Sequence, residues 1–359
     1  MLADDKALSS VPVALLFTFV MVATIPASLF MRRFGRRVGF TVGQLIGVSA
    51  AGLSVFAIFQ SSFLLFALGG ALFGIHGAFA QYYRFAAADS AGEQYRSRAI
   101  SLVLAGGVVG AILGPELSKL SRDVFHPVVF AGNFVVIGSL CLIAVVILQF
   151  VKIPHLTSAQ RLKTGRPLLV IARQPAFIVA VLSGMLGFGS MTLVMTSTPL
   201  AVTAHDHSFS DVAFVIQWHV LGMFAPSFFT GHLIHRYGTL NIILAGALLI
   251  MSCIVINLSG VKLANFWFAL AALGVGWNFM FIGGTTLLTT SCRPEERAKV
   301  QGANDFCIFG VVACAAFSSG ILHDVLGWQA VNLSVAVPIG ISFCAALWLR
   351  LRKCSTPTI

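Results

Sequence analysis

Residues 28–37 read SLFMRRFGRR and residues 231–240 read GHLIHRYGTL. In each, an apolar stretch ends on a basic, glycine-containing turn and a second apolar stretch follows at once. Arg33-Phe34-Gly35 aligns with Arg236-Tyr237-Gly238 at an offset of 203. A weaker pair, Arg98-Ala99 and Arg297-Ala298, opens two later apolar stretches at an offset of 199. Two offsets near 200 indicate a chain built of two similar halves.

The stretches beside these turns set the class of fold. Of the 359 residues 58% are apolar and 10% charged, against about 25% charged in a soluble domain. A soluble fold cannot hide that much apolar surface, and a disordered chain does not carry it. A barrel is excluded by the long apolar runs, since barrel strands alternate. A helix needs about 20 apolar residues to cross the hydrocarbon core. Eleven stretches qualify: 10–31, 38–59, 62–83, 99–119, 127–151, 175–201, 210–232, 239–260, 264–290, 300–322 and 328–349. The expected fold is all-α integral membrane, a two-half helical bundle with five spans and then six. The expected parts are an N-terminal half 1–151, a basic polar linker 152–174 and a C-terminal half 175–359.

The net charge of +11 would suggest nucleic acid until the 23 Lys and Arg residues are sorted by loop. Nineteen fall on alternate loops: Arg32, Arg33, Arg36, Arg37; Arg84, Arg96, Arg98; Lys152, Arg161, Lys163, Arg166, Arg173; Arg236; Arg293, Arg297, Lys299; and Arg350, Arg352, Lys353. Only Lys6, Lys119, Arg122 and Lys262 lie on the other side. Positive loops stay in the cytoplasm. The charge is therefore a topology signal, with the C-terminus inside, and no nucleic-acid partner is expected. The segment 10–31 lacks a basic n-region and is followed by four arginines, unlike a cleaved signal peptide. The seven cysteines avoid the outer loops and match no metal spacing; they read as small apolar residues in helices. His205-Asp206-His207 offers two ligands two residues apart, too few for a metal site.

Carrying the 203-residue offset back from residue 175 puts the start of the first half about 28 residues before Met1. One helix is thus expected to be missing from the first half. A start codon assigned too late is the favoured explanation and a true truncation the other. Tandem helical halves of this size suggest a carrier in which they rock about a central site.

The turn at 28–37 resembles the Gly-x-x-x-Asp-Arg-x-Gly-Arg-Arg signature of the major facilitator superfamily. Ser28 takes the Gly place and Arg32 the Asp place, while Arg33, Gly35, Arg36 and Arg37 match. The second copy keeps Gly231, Arg236 and Gly238, with His235 in the Asp place. The resemblance covers essentially the whole chain. Within the superfamily, AQYYRFAAADSA (80–91), VIQWHVLGMFAPSFFTGHLI (215–234) and GVGWNFMFIGGTTLL (274–288) look like a bacterial branch of mostly uncharacterised transporters, near which riboflavin importers belong. The resemblance implies a secondary carrier in the bacterial inner membrane, a small-molecule substrate, a monomer, no cofactor and room for a coupling proton.

It also implies a latch at the cytoplasmic gate, made by the Asp that this chain lacks. The expected substitutes are Arg33 or Arg36 with Asp89 or Glu93, and Arg236 with Glu295 or Glu296, with Gly35 and Gly238 shaping the two turns. The alternative is solvated loop charge worth under about 1 kcal/mol. Gly110-Ala-Ile-Leu-Gly114-Pro115 matches half of an antiporter motif and equally suits close helix packing. The embedded Arg of the family's fourth span is missing, since 63–75 carries no charge.

Polar groups at mid-depth must face the bundle or a cavity. Trp267, Trp328 and Trp348 lie near span ends, in the interfacial belt. Trp277 and Trp218 fall well inside their spans, beside Asn278 and Gln217. Aromatic area next to an amide suits a flat heteroaromatic ligand. By the family resemblance the cavity also takes His76, Gln81, Thr192, Thr196 and Ser197. The other reading is interhelical hydrogen bonding. His76 and Asp305 are the candidates for proton coupling, by near-neutral titration and by desolvation respectively; a helix-end cap or an ion pair with an Arg is the alternative for Asp305. No fixed negative charge is evident at mid-depth, so the expected substrate is neutral or weakly acidic. No phosphate-binding loop is present, and no clustered acid or histidine pairs point to an enzyme. A drug or metabolite exporter and a non-transporting sensor remain the rival functions.

Overall fold

The computed structural model describes residues 11–151, 153 and 165–354. The expectations for Lys6 and for most of the 152–174 linker concern residues outside that range. Within it the chain is helical. The helices are α1 (Val11–Phe34), α2 (Arg36–Phe59), α3 (Phe63–Ala80), α4 (Tyr83–Ser90), α5 (Arg96–Ser121), α6 (Ala131–Phe150), α7 (Leu168–Ala172), α8 (Pro175–Ala204), α9 (Phe209–Phe224), α10 (Ser227–Tyr237), α11 (Thr239–Ser259), α12 (Leu263–Thr290) and α13 (Arg297–Cys354). Backbone groups in hydrocarbon must be satisfied internally, and helices do this one segment at a time.

Among the described residues nine helical stretches are long and apolar enough to cross a bilayer, or ten when the bent pair α9–α10 counts as one. The eleven apolar stretches of the sequence become fewer because the last two join. The 58 residues of α13 would extend about 87 Å at 1.5 Å per residue, against a core of about 30 Å. The run breaks inside, at Gly327, where φ is 79° and ψ 176°. The third stretch also ends later than expected. After a turn at Gln81–Tyr82 the helix resumes as α4 and runs to Ser90, so Arg84 lies within a span and not in a loop. The loop-charge asymmetry stands without it.

The described residues form two compact units. The first holds the chain up to Ala86, Ile112–Gly165 and Arg293–Ala313. Here α3 packs along both α1 and α2, and α2 along α6. The second holds Ala87–Ala111, Arg166–Cys292 and the chain from Cys314. Its centre is α12, which packs on α8, α9 and α11 and is buried nearly all round. Small residues permit that approach. A methyl on Gly276 would sit 2.8 Å from the Gly246 carbonyl oxygen, and one on Gly246 2.8 Å from that of Gly276.

The internal repeat is visible in the backbone. Gly35 joins α1 to α2 at φ 88°, ψ 155°; Gly238 joins α10 to α11 at φ 87°, ψ 148°. That region is open almost only to glycine, which explains why Gly is the residue kept in both copies. Each glycine N–H donates to the carbonyl four residues back, Met31 or Ile234, at 2.9 Å. The arginine two residues before each glycine lies 5.3 Å over the following ring: Arg33 on Phe34, Arg236 on Tyr237. A 3₁₀ turn, Glu93–Tyr95 or Pro294–Glu296, precedes α5 and α13 alike.

Candidate functional site

In the second unit, four rings from three helices meet. Trp277 and Phe281 are four apart on α12 and so share a face; their rings stack at 5.0 Å and 13°. Phe188 of α8 meets Trp277 edge-on at 5.2 Å and Phe281 at 5.5 Å. Phe224, the last residue of α9, meets Trp277 edge-on at 5.9 Å. Trp277 is 3% exposed. Its Nε1 is buried with no hydrogen-bond partner among the described residues. A buried indole N–H usually finds an acceptor, and leaving it without one costs about 1–3 kcal/mol. The four rings cover one another, and the indole N–H is a donor left unused among the described residues.

Other predicted site residues lie around it. Thr192 and Thr196 follow Phe188 at four-residue steps on α8, on one face by spacing. Thr192 is buried, and the Thr196 hydroxyl donates to the Thr192 carbonyl. Ser197 is buried and donates to the Ser319 carbonyl at 3.1 Å.

Asn278 is used differently from its neighbour. It is fully buried, and its amide nitrogen donates to the Met223 carbonyl and to Ser227 Oγ, both at 2.6 Å. Its oxygen accepts from Thr230 Oγ1 at 2.7 Å. These groups flank the break between α9 and α10, bent by 42° where Pro226 lacks a backbone donor. Asn278 thus stitches that break to α12.

Gln217 and Trp218 stand on an exposed face of α9. Trp218 packs edge-on to Trp267 at 5.6 Å and to Phe214 at 6.3 Å. Trp267 is only the fifth residue of α12, so Trp218 shares the depth of the belt and not of Trp277. Next to it, His219 is fully buried, with Nδ1 2.8 Å from the Leu270 carbonyl oxygen.

In the first unit His76 holds α3 to α2 through Nδ1 and the Gly43 carbonyl oxygen, 2.9 Å apart. A second polar cluster lies where α4 meets the start of α13. Arg84 donates to Asp305 Oδ1 at 2.5 Å, with the side chains 3% and 0% exposed. The same guanidinium donates to Gln81 Oε1 at 2.6 Å and to the Gln81 carbonyl at 3.1 Å, and lies 4.5 Å over the Phe85 ring. Asn304 Nδ2 donates to Asp305 Oδ1 at 2.8 Å. Gln81 and Asp305, expected in a cavity and in proton coupling, are thus brought together by Arg84, a residue that the sequence reading left among the loop charges.

Of the expected gating residues, Arg36 donates to Gln301 Oε1 at 3.2 Å. Glu296 is buried and accepts from the Arg293 N–H at 2.9 Å, closing the turn before α13. Glu295 is half-buried and Asp89 lies near the end of α4. Glu93 is exposed and pairs with Arg96 at 3.5 Å.

Two helical units, each with polar groups held inside apolar helices, are the plan of a polytopic membrane protein, and its relatives make it a secondary transporter. The comparisons agree. The sequence profile of the Major Facilitator Superfamily matches residues 2–316. The riboflavin transporter RfnT of Brucella anthropi is 44% identical over 98% of this chain and 88% of its own. The uncharacterised MFS-type transporter YddS of Bacillus subtilis is 31% identical over 92% of this chain and 79% of its own. Among solved structures, the transporter FucP in its outward conformation superposes with a TM-score of 0.74 at 17% identity, covering 96% of this chain and 90% of that one. The human organic anion transporter MFSD10 gives 0.76 at 15% identity, covering 94% and 83%. These two share the fold. The chain belongs to the Major Facilitator Superfamily.

Proposed function

We propose that the chain takes up riboflavin, or a close flat heteroaromatic relative, across the bacterial inner membrane by alternating access. The observation that carries this reading is the ring box around Trp277 with its unused N–H. A planar ring system with carbonyl acceptors at its edge, admitted between these rings as the carrier cycles, would stack on them and supply an acceptor for the indole donor. The 44% identity to a riboflavin transporter over nearly the whole chain supports the same substrate. Thr192 and Thr196 extend the polar lining along α8.

In this reading the halves 1–151 and 175–359 rock as a monomer about the site, with the 152–174 linker and the C-terminus in the cytoplasm. In this reading α13 counts as two spans divided at Gly327 and α9–α10 as one, which makes eleven crossings among the described residues.

Growth of a riboflavin auxotroph lacking its own importer, at limiting riboflavin, tests the proposal. Rescue by the parent and loss of rescue by Trp277→Ala, at equal membrane levels, is the expected pair of results. No rescue by the parent, although it reaches the membrane, favours an exporter or a non-transporting protein.

A further inference from the structure

Three histidines gather at the end of the second unit where α8 stops, the end that the charge sorting assigns to the outside. His205 caps α8, and its Nδ1 lies 2.7 Å from the Ala201 carbonyl oxygen. His207 follows in the next loop, with Nε2 2.9 Å from the Val261 carbonyl oxygen in the turn before α12. His323 stands on α13, four residues before the break at Gly327. The three rings share one apolar seat. Phe266 of α12 and Trp328 of α13 are buried, with ring centroids 5.7 Å apart. His205 and His207 lie 6.2 and 6.0 Å from Phe266, and His323 lies 6.5 Å from Trp328.

His323 is the worst served of the three. Its Nδ1 is buried with no hydrogen-bond partner among the described residues. A neutral imidazole can leave one nitrogen bare, whereas an imidazolium must donate from both. A proton on His323 therefore makes a buried, charged N–H with no acceptor, which costs more than a neutral group left unpaired. Its charged neighbours are Asp324 on α13 and His205 on α8. Asp324 is exposed, so water screens its attraction, and His205 repels once it is charged as well. Of the other charged groups at this end, Asp206 and Lys262 are exposed, and Asp211 bonds Ser208 with His207 as its charged neighbour.

We propose that His323 is an acid-sensitive joint at the outer end of the second unit. Neutral, it lets α13 seat Trp328 against Phe266 beside the end of α8. Protonated, it leaves that seat and the turn at Gly327 opens. The proton comes from the outer water and returns to it, so the ring passes from neutral to +1 and back while nothing crosses the membrane. The second unit thereby reads external acidity, separately from whatever drives uptake.

The assignment to outer water rests on the sidedness read from the loop charges. The test needs neither sidedness nor substrate, since both faces of a protein in micelles meet one pH, so failure of the riboflavin assay and failure of the joint are separate results. An imidazole that takes its proton only in the open form, with the ordinary value of about 6.5 there, favours opening about tenfold more at pH 5.5 than at pH 7.5. Hydrogen exchange of the peptide 320–330, divided by the intrinsic rate at each pH, reads that opening. Protection in the parent should fall about tenfold from pH 7.5 to pH 5.5, while α11 keeps its protection. His323→Gln should abolish the fall. Equal protection of the parent at both pH values overturns the joint, as does a His323→Gln variant that keeps the full fall. Should that variant not fold, the parent's profile decides. Opening that rises from about pH 6.5 downward is the expected result, and a rise that begins only below about pH 4.5, in the carboxylate range, overturns the assignment to His323.

Discussion

Asn278→Ala separates a structural from a ligand-binding role at the centre of the second unit. The side chain makes three buried hydrogen bonds across the α9–α10 break. Their loss is not three equal penalties. Thr230 Oγ1 also lies 2.8 Å from the Pro226 carbonyl, so its donor is re-used. Ser227 Oγ loses a donor aimed at it but keeps its own hydroxyl proton to place elsewhere. The Met223 carbonyl, whose helical donor four residues on falls across the α9–α10 break, loses its side-chain donor. Hydrogen bonds between membrane helices are worth roughly 0.6 kcal/mol each on average, and a buried carbonyl left unsatisfied costs about 1–3 kcal/mol. The expected destabilisation is about 2–4 kcal/mol. Unfolding in mixed detergent micelles, followed by SDS titration, measures it directly. Loss of transport should follow loss of fold, with substrate affinity little changed in the surviving protein. A variant as stable as the parent whose affinity for riboflavin collapses would refute the reasoning and return Asn278 to the ligand.

Other predictions follow from the same contacts. Trp277→Phe keeps one six-membered ring and removes the N–H, so riboflavin affinity in equilibrium binding should fall about tenfold; loss of a buried unpaired donor offsets part of the cavity cost, so the unfolding midpoint should fall less than in Trp277→Ala. Gly276→Ala forces a methyl to 2.8 Å from a backbone oxygen and should cost about 1–3 kcal/mol, read by the same micelle titration; an unchanged midpoint would mean α11 and α12 part easily. Gly35→Ala and Gly238→Ala should each cost about 1–3 kcal/mol through backbone strain alone, equally in both copies of the repeat; a harmless alanine at either would contradict the positive φ there.

The spans and the repeat were legible because hydropathy and glycine report on one helix at a time. Gly35 and Gly238 could be matched across 203 residues since no other residue fits their conformation. The site was less legible because it depends on which helices meet. Trp277 and Asn278 are neighbours in sequence, which suggested a shared role. Adjacent residues on a helix point about 100° apart, and here one joins a ring box while the other faces the α9–α10 break. Phe281, four residues beyond Trp277, was the better partner by helix geometry. Phe188 and Phe224 carry no signal until α8, α9 and α12 are brought together. From sequence Arg84 reads as a loop charge, because an arginine so often marks a span end. Its surroundings argued otherwise: Phe85-Ala86-Ala87-Ala88 holds no turn residue, and a helix can keep such a charge inside once a carboxylate from another helix meets it.

The most direct test of the central claim is counterflow of labelled riboflavin in proteoliposomes of the purified chain, preloaded with unlabelled riboflavin. Counterflow needs neither a coupling ion nor a known direction of net flux. The account predicts saturable, transient accumulation of label above that in empty vesicles, greatly reduced by Trp277→Ala. Vesicles that contain inserted, folded protein yet take up no more label than empty ones would contradict it.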